Sequence, residues 1–197
     1  MAAVTTPIKQ KEHGGQILPI PVPPELSYLW QRNPEIVKYG DPVLRQVARP
    51  VPKFTREVAQ LIERMGRIMR AAPGVGLAAP QIGLLQRVIL YQLPEEGSVL
   101  HALVNPKIVS RSGEQIGQEG CLSIPALQGD VSRAKEIVVK GLDQHGRAVR
   151  RRATDFEARV IQHEIDHLDG ILFIDTVLPE TLHFIFPDDE SSNSPVE

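Results

Sequence analysis

The sequence predicts an α+β fold, mainly antiparallel β strands around a central helix that carries an H-E-x-x-H motif. Three observations point there. Short β-rich runs succeed one another between residues 87 and 153, separated by turn residues. One strongly patterned helix comes after those strands and does not alternate with them, as a parallel α/β sheet would require. An earlier segment has apolar residues on one helical face.

Taken in order, the first thirty or so residues have no helical period, and Pro7, Pro19, Pro21, Pro23 and Pro24 interrupt them. Residues 1–32 are therefore expected to be an extended N-terminal arm, ahead of a catalytic domain at 33–186. No apolar run follows the N-terminal charges, so the arm does not read as a secretory signal. It has no arginine before Arg32, which argues against an organellar transit peptide. Val58, Leu61, Ile62, Met65, Ile68, Met69 and Ala72 then follow helical spacing, and Pro73-Gly74 ends that helix. Strands are expected in 87–92, 99–106, QEGCLSIP, 135–143 and 145–153, with a hairpin turn from Asp143 to Gly146. Thr154 and Glu157 have the spacing of a capping box for the second helix. That helix carries two apolar stripes, so it should be buried on most sides, and Gly170 is its expected stop. Residues 187–197 are polar and acidic and are expected to be a disordered tail.

Composition narrows the function classes. With 197 residues, 42% hydrophobic and 23% charged, the chain suits one soluble globular domain. A net charge of −2 gives no reason to expect an obligate nucleic-acid partner. No apolar run reaches the roughly 20 residues of a membrane-spanning helix, so no membrane role is expected. Cys121 is the only cysteine, which excludes an intrachain disulfide and suits a reducing compartment.

The stretch QHEIDH, 162–167, carries the chemistry. Four residues turn a helix by about 400°, so His163 and His167 leave the same face one turn apart and can converge on one ion. Glu164 is rotated by about 100° and is better placed to carry protons beside the ion than to ligate it. A catalytic centre of this kind needs about three protein ligands and an open position. His13, His101, His145 and His183 lie elsewhere in the chain. A lone cysteine is most often a small buried hydrophobe. Beside a two-histidine site that lacks a third ligand, Cys121 becomes the stronger candidate. A zinc endopeptidase would use the same motif with a third ligand downstream, where Asp175 and Glu180 are available at poor spacing. A non-catalytic binding relative would normally have lost one of these groups.

Three stretches, GVGLAAPQIG (74–83), EGCLS (119–123) and QHEIDHLDG (162–170), resemble the three motifs of peptide deformylases in order and separation. EIVKYGDPVLRQVARPV (35–51) resembles the start of that family's domain, and the likeness runs from about 33 to 180. The resemblance implies hydrolytic removal of the N-formyl group from the initiator methionine of nascent polypeptides, releasing formate. It implies Cys121, His163 and His167 as metal ligands, with Glu164 as general base and acid. The metal it implies is Fe2+, one per chain, for which Ni2+, Co2+ or Zn2+ can substitute. The partners it implies are N-formylmethionyl nascent peptides and a transient contact with the ribosome. The location is expected to be the bacterial cytoplasm, with an organellar matrix or stroma as the alternative.

The residues suit that chemistry on their own terms. Gln81 offers an amide N–H to an oxyanion, and the backbone N–H of Leu122 offers a second. Gly74, Gly76, Ala78 and Ala79 let backbone approach closely, which admits a formyl group and excludes an acetyl group. Val75, Gly76, Gly120, Phe156 and Val160 are expected to line the substrate's slot. Many members of the family it resembles carry an arginine a few residues after the cysteine motif, where this chain has CLSIPALQGD, with Gln128 and then Asp130; it is expected to keep only a short C-terminal helix at about Pro179 to Phe186.

Overall fold

The computed structural model describes residues 21–186. The first twenty residues of the expected arm and the expected acidic tail at 187–197 lie outside the described residues.

Among the described residues, eight strands and two α-helices are joined by short 3-10 helices and loops. They are α1 (Arg56–Ala71), β1 (Gly76–Ala78), β2 (Val88–Tyr91), β3 (His101–Ser112), β4 (Gln115–Cys121), β5 (Ile124–Arg133), β6 (Glu136–Leu142), β7 (Ala148–Thr154), α2 (Asp155–Leu168) and β8 (His183–Phe184). The strands form two antiparallel sheets, one in the order β1-β2-β3-β6-β7 and one in the order β4-β5-β8. The α+β class and its antiparallel strands are as expected.

The pleat of the larger sheet explains where the core sits. Alternate residues of a strand face opposite sides. Val88 and Leu90 of β2, with Ala102 and Val104 of β3, pack with Ile62, Met65 and Met69 of α1. Ile89, Leu103, Ile137 and Val139 pack on the other face with Ala158, Ile161, Ile165 and Leu168 of α2. Each face of the sheet is thus covered by one helix. A third cluster, with Leu127 and Val131 of β5 and Leu172, Phe173 and Ile174 after α2, closes the smaller sheet. Helix α2 is central in this sense, with the large sheet on one side and elements of the small sheet on the other.

Several local expectations hold. Pro73-Gly74 follows α1. The turn between β6 and β7 closes with the Gly146 N–H donating to the Asp143 carbonyl at 3.0 Å. Gly170, with φ +73°, provides the left-handed residue just beyond α2.

Others need correction. Residues 118–125 are not one strand, because β4 ends at Cys121 and β5 begins at Ile124, with a register shift between Gly120 and Cys121. Thr154 makes no capping bond with its side chain. It is the last residue of β7, paired with Glu136, while Glu157 instead accepts from the Tyr91 hydroxyl at 3.0 Å and from Arg151 at 2.6 Å. The short C-terminal helix is absent: a single 3-10 turn at Pro179–Thr181 leads into β8, which pairs with β5 at Leu127 and Gln128. Long-range ladder bonds to β5 thus take the backbone groups that a local helix would have used. The described part of the arm is not extended either. Pro24–Gln31 forms a 3-10 helix, with Leu26 fully buried and Trp30 packed against the third cluster.

Candidate metal centre

The site forms where α2 meets the turn between β4 and β5. His163 and His167 leave α2 one turn apart, their rings edge to face with centroids 5.0 Å apart. The register shift at the end of β4 turns Cys121 toward them. One ligand atom from each of Cys121, His163 and His167 lies within 4.8 Å of the others. The Cys121 Sγ is 3.3 Å from His167 Nε2.

The donor set fits a divalent transition metal. A thiolate and two imidazoles are the nitrogen and sulfur donors that hold such ions in three-ligand catalytic sites. The local electrostatics favour positive charge at the same spot. Burial opposes charge on His163, yet the bonds to Cys121 and Glu119 hold its pKa well above the ordinary histidine value. A cation there supplies what a proton would otherwise have to supply. Burial pushes His167 well below its ordinary value, with the charges of His163, Arg133 and Arg45 adding to the effect, so it stays in the neutral form that ligates metal.

An ionic network behind the ligands sets their orientation. His163 Nδ1 is 2.9 Å from Glu119 Oε2, which leaves its Nε2 to face the centre. Glu119 also accepts two bonds from Arg133, both at 2.9 Å, and one from Arg159 at 2.8 Å. Arg133 further pairs with Asp166. Burial would raise the Glu119 pKa, but the bonds from Arg133 and His163 outweigh it and hold the carboxyl well below the usual range. The sequence assigned no role to Glu119, which opens the EGCLS stretch, or to Arg133 and Arg159. Their partners are 14 to 44 residues apart, so no local spacing announces them. The hint was that a glutamate stands two positions before the candidate cysteine.

Glu164 contrasts with that network. Its carboxylate is buried, and Oε2 has no hydrogen-bond partner. Burial pushes its pKa up to about 7, against the opposing charge of His163. Gly76 makes room for it: a Cβ on Gly76 would lie 2.2 Å from Glu164 Oε1, with Cδ and Cγ also under 3.0 Å. Gln81 is buried and its amide is oriented. Its Oε1 accepts from the Ala78 N–H at 2.8 Å, which turns Nε2 toward Cys121 Sγ at 3.4 Å and Ser123 Oγ at 3.3 Å.

A cleft of about 920 Å3 opens onto these groups. Its lining includes Val75, Gly76, Gln81, Gly120, Cys121, Leu122, Phe156, Val160, His163 and Glu164. The structure thus brings every sequence-derived candidate except His167 to one cleft wall, and His167 sits directly behind Cys121. Val160 is buried, whereas Phe156 and Val75 are partly open to solvent. The downstream alternatives for a third ligand lie elsewhere. Asp175 is held by Arg45, and Glu180 is exposed.

Comparison with known proteins gives a family model, curated relatives and solved structures that match most of the chain. A family model described as polypeptide deformylase matches residues 34–182. The peptide deformylase of Halothermothrix orenii is 51% identical over 144 residues, covering 73% of this chain and 93% of that one. The crystal structure of the Thermus thermophilus peptide deformylase superposes with a TM-score of 0.68 at 48% identity, covering 72% of this chain and 84% of that chain. A Met-Ala-Ser-bound peptide deformylase from Acinetobacter baumannii superposes with a TM-score of 0.68 at 36% identity, covering 72% of this chain and 96% of that chain.

Proposed function

We propose the following division of labour from the premise that this chain belongs to the peptide deformylase family, a family of metal-dependent amide hydrolases. Cys121, His163 and His167 hold one divalent metal, ferrous iron in the native protein. When bound, the metal supplies Lewis acidity at an open coordination position. Water adds to the formyl carbon, the carbon–nitrogen bond breaks, and formate and a free α-amine leave. Glu164 takes the proton from the attacking water and delivers it to the departing nitrogen. The Gln81 amide and the Leu122 backbone N–H donate to the oxyanion. The Met-Ala-Ser peptide of the Acinetobacter relative begins with an unformylated methionine, as a product of this reaction would.

The observation that carries the reading is the convergence of the Cys121, His163 and His167 ligand atoms beside a buried carboxylate oxygen with no partner. Glu164 is close to the site without being part of the ligand set, which is the position a proton carrier needs. Val75, Gly76, Gly120, Phe156 and Val160 form the wall against which the methionyl end lies. The Gly76 backbone runs so close to Glu164 that a Cβ would collide with its carboxylate, and a Gly-Ala stretch packed this closely beside the site favours formyl over acetyl substrates.

The substrates are N-formylmethionyl nascent peptides, met in the cytoplasm and in transient contact with the ribosome. Among the described residues, no helix is long and apolar enough to cross a membrane. Formate release decides the matter. The protein, prepared without oxygen and analysed for metal, should release formate from a formyl-methionyl peptide, leave the acetyl analogue intact and fail to cleave casein. Casein cleavage without formate release would establish the endopeptidase alternative.

A further inference from the structure

The cleft is larger than a formyl-methionyl group needs. Its volume of about 920 Å3 is near the top of the roughly 300–1,000 Å3 that enclose whole small-molecule ligands. Part of its wall comes from outside the matched domain. Tyr28, Leu29 and Arg32 line it, and all three precede residue 34. They belong to the 3-10 helix Pro24–Gln31 and its C-cap. Buried Leu26 and the packed Trp30 fix that helix on the domain, and the Arg32 N–H closes it by donating to the Leu29 carbonyl at 3.2 Å. The Arg32 guanidinium lies over the Tyr28 ring, 5.1 Å from its centroid. A cation at that distance is attracted to the ring face, so the charge is held at the cleft wall.

The charges along the cleft do not balance. Its lining holds Arg32, Lys38 and Arg159 against Glu119 and Glu164. Arg159 and Glu119 are paired with each other at 2.8 Å. Glu164 is buried at the reacting end. The Lys38 amine donates to the carbonyls of Asn33 and Ile36, and burial lowers its pKa. Among the described residues, no carboxylate pairs with Arg32 or Lys38. Arg32 therefore presents a positive charge at the cleft wall that no carboxylate of the described residues neutralises.

We infer that Arg32, seated on Tyr28, is a specificity-determining residue that favours nascent peptides with acidic side chains shortly after the formyl-methionine. The inference rests on the deformylase reading of the inner site. Exposed ion pairs are worth roughly 0.2–1 kcal/mol, so the preference is modest, about 1.4- to five-fold in kcat/KM.

The test uses the full chain with its metal and three amidated substrates: formyl-Met-Ala, formyl-Met-Ala-Asp-Asp and formyl-Met-Ala-Lys-Lys. The Asp peptide should exceed the Lys peptide by about that factor, mainly through KM. The ratio should collapse in Arg32→Ala, invert in Arg32→Glu and survive in Arg32→Lys. It should also shrink at 1 M salt, where the screening length falls to about 3 Å. A purely structural role for the helix would lower all three rates alike and leave the ratio and its salt dependence unchanged, which would overturn the inference. Equal rates on the Asp and Lys peptides in the intact protein would overturn it too. Failure of the intact protein to hydrolyse formyl-Met-Ala would instead overturn the reading of the inner site.

Discussion

Two sets of buried polar groups beside α2 are treated in opposite ways. Behind the ligands, Glu119 and Gln162 have their partners. Glu119 binds Arg133, Arg159 and His163, while Gln162 bonds the Ala134 N–H at 3.2 Å and the Ala134 and Ala158 carbonyls at 2.9 Å. At the reacting centre, Glu164 Oε2 and His167 Nδ1 are buried with none. A buried polar group without a partner is costly, so the two at the reacting centre call for a use there. Trp30 Nε1 and Gln128 Oε1 are likewise buried without partners. The difference teaches that satisfied groups fix the geometry of the site and unsatisfied ones do its chemistry. Substitutions should accordingly separate rate from stability.

The largest effect is expected at Glu164. Glu164→Gln should bind metal, fold as well as the wild type and lose about 10²–10⁴ in kcat, read by formate release. In metal-stripped protein the same substitution has a second signature. The folded carboxyl titrates near 7 and the unfolded one near 4.5. Between those values the folded state holds a proton that the unfolded state has released, so this group's part of the stability falls as pH rises. Glu164→Gln should remove that part of the slope in urea titrations. A variant that arrives without metal would place Glu164 among the ligands.

Glu119→Ala comes next and should behave in the opposite way. It takes the shared carboxylate from two buried guanidiniums, leaving Arg133 with Asp166 and Arg159 with backbone carbonyls alone, and it frees the His163 ring. Breaking a buried pair of this kind costs about 3–5 kcal/mol, and losing a carboxylate behind a ligand histidine lowers metal affinity about 10–100-fold. Denaturant midpoints and competition with a chelator measure the two. Normal stability in this variant would break the comparison.

Gln81 combines both characters, since its oxygen is satisfied and its nitrogen makes only long contacts. Gln81→Leu should lose about 10²–10³ in kcat and about 1–3 kcal/mol of stability for the stranded Ala78 N–H. The smallest effect belongs to Gln162→Leu, which should lose about 1–3 kcal/mol of stability while kcat per bound metal stays at the wild-type value.

The same contrast accounts for what could be read from the sequence. The helix with His163, Glu164 and His167 declared itself because its spacing is local and its stripes are apolar. Cys121 was readable because two histidines needed a third donor. Glu119, Arg133 and Arg159 were not, since an ion pair across the fold leaves no periodic trace. The β4–β5 hairpin was poorly legible for a related reason. EQIGQEG is rich in glycine and polar residues and poor in β-branched ones, so its strand character comes from pairing with β5 and little from propensity. β8 has only two residues and exists only because β5 offers it an edge. The arm was misread because its prolines conceal a single buried leucine, Leu26, and prolines are compatible with the start of a 3-10 turn as well as with extended chain.

Gly76 has a consequence for any population of variants. Every other amino acid except glycine itself brings a Cβ, and here that atom would fall 2.2 Å from the Glu164 carboxylate. Alanine is thus excluded by the same collision as tryptophan. In a saturation library selected for growth on this activity, position 76 should show one surviving codon family. Neighbouring Val75, half open to solvent, should tolerate a broad alphabet. A drifting lineage could reach a different residue at 76 only after relocating its proton carrier.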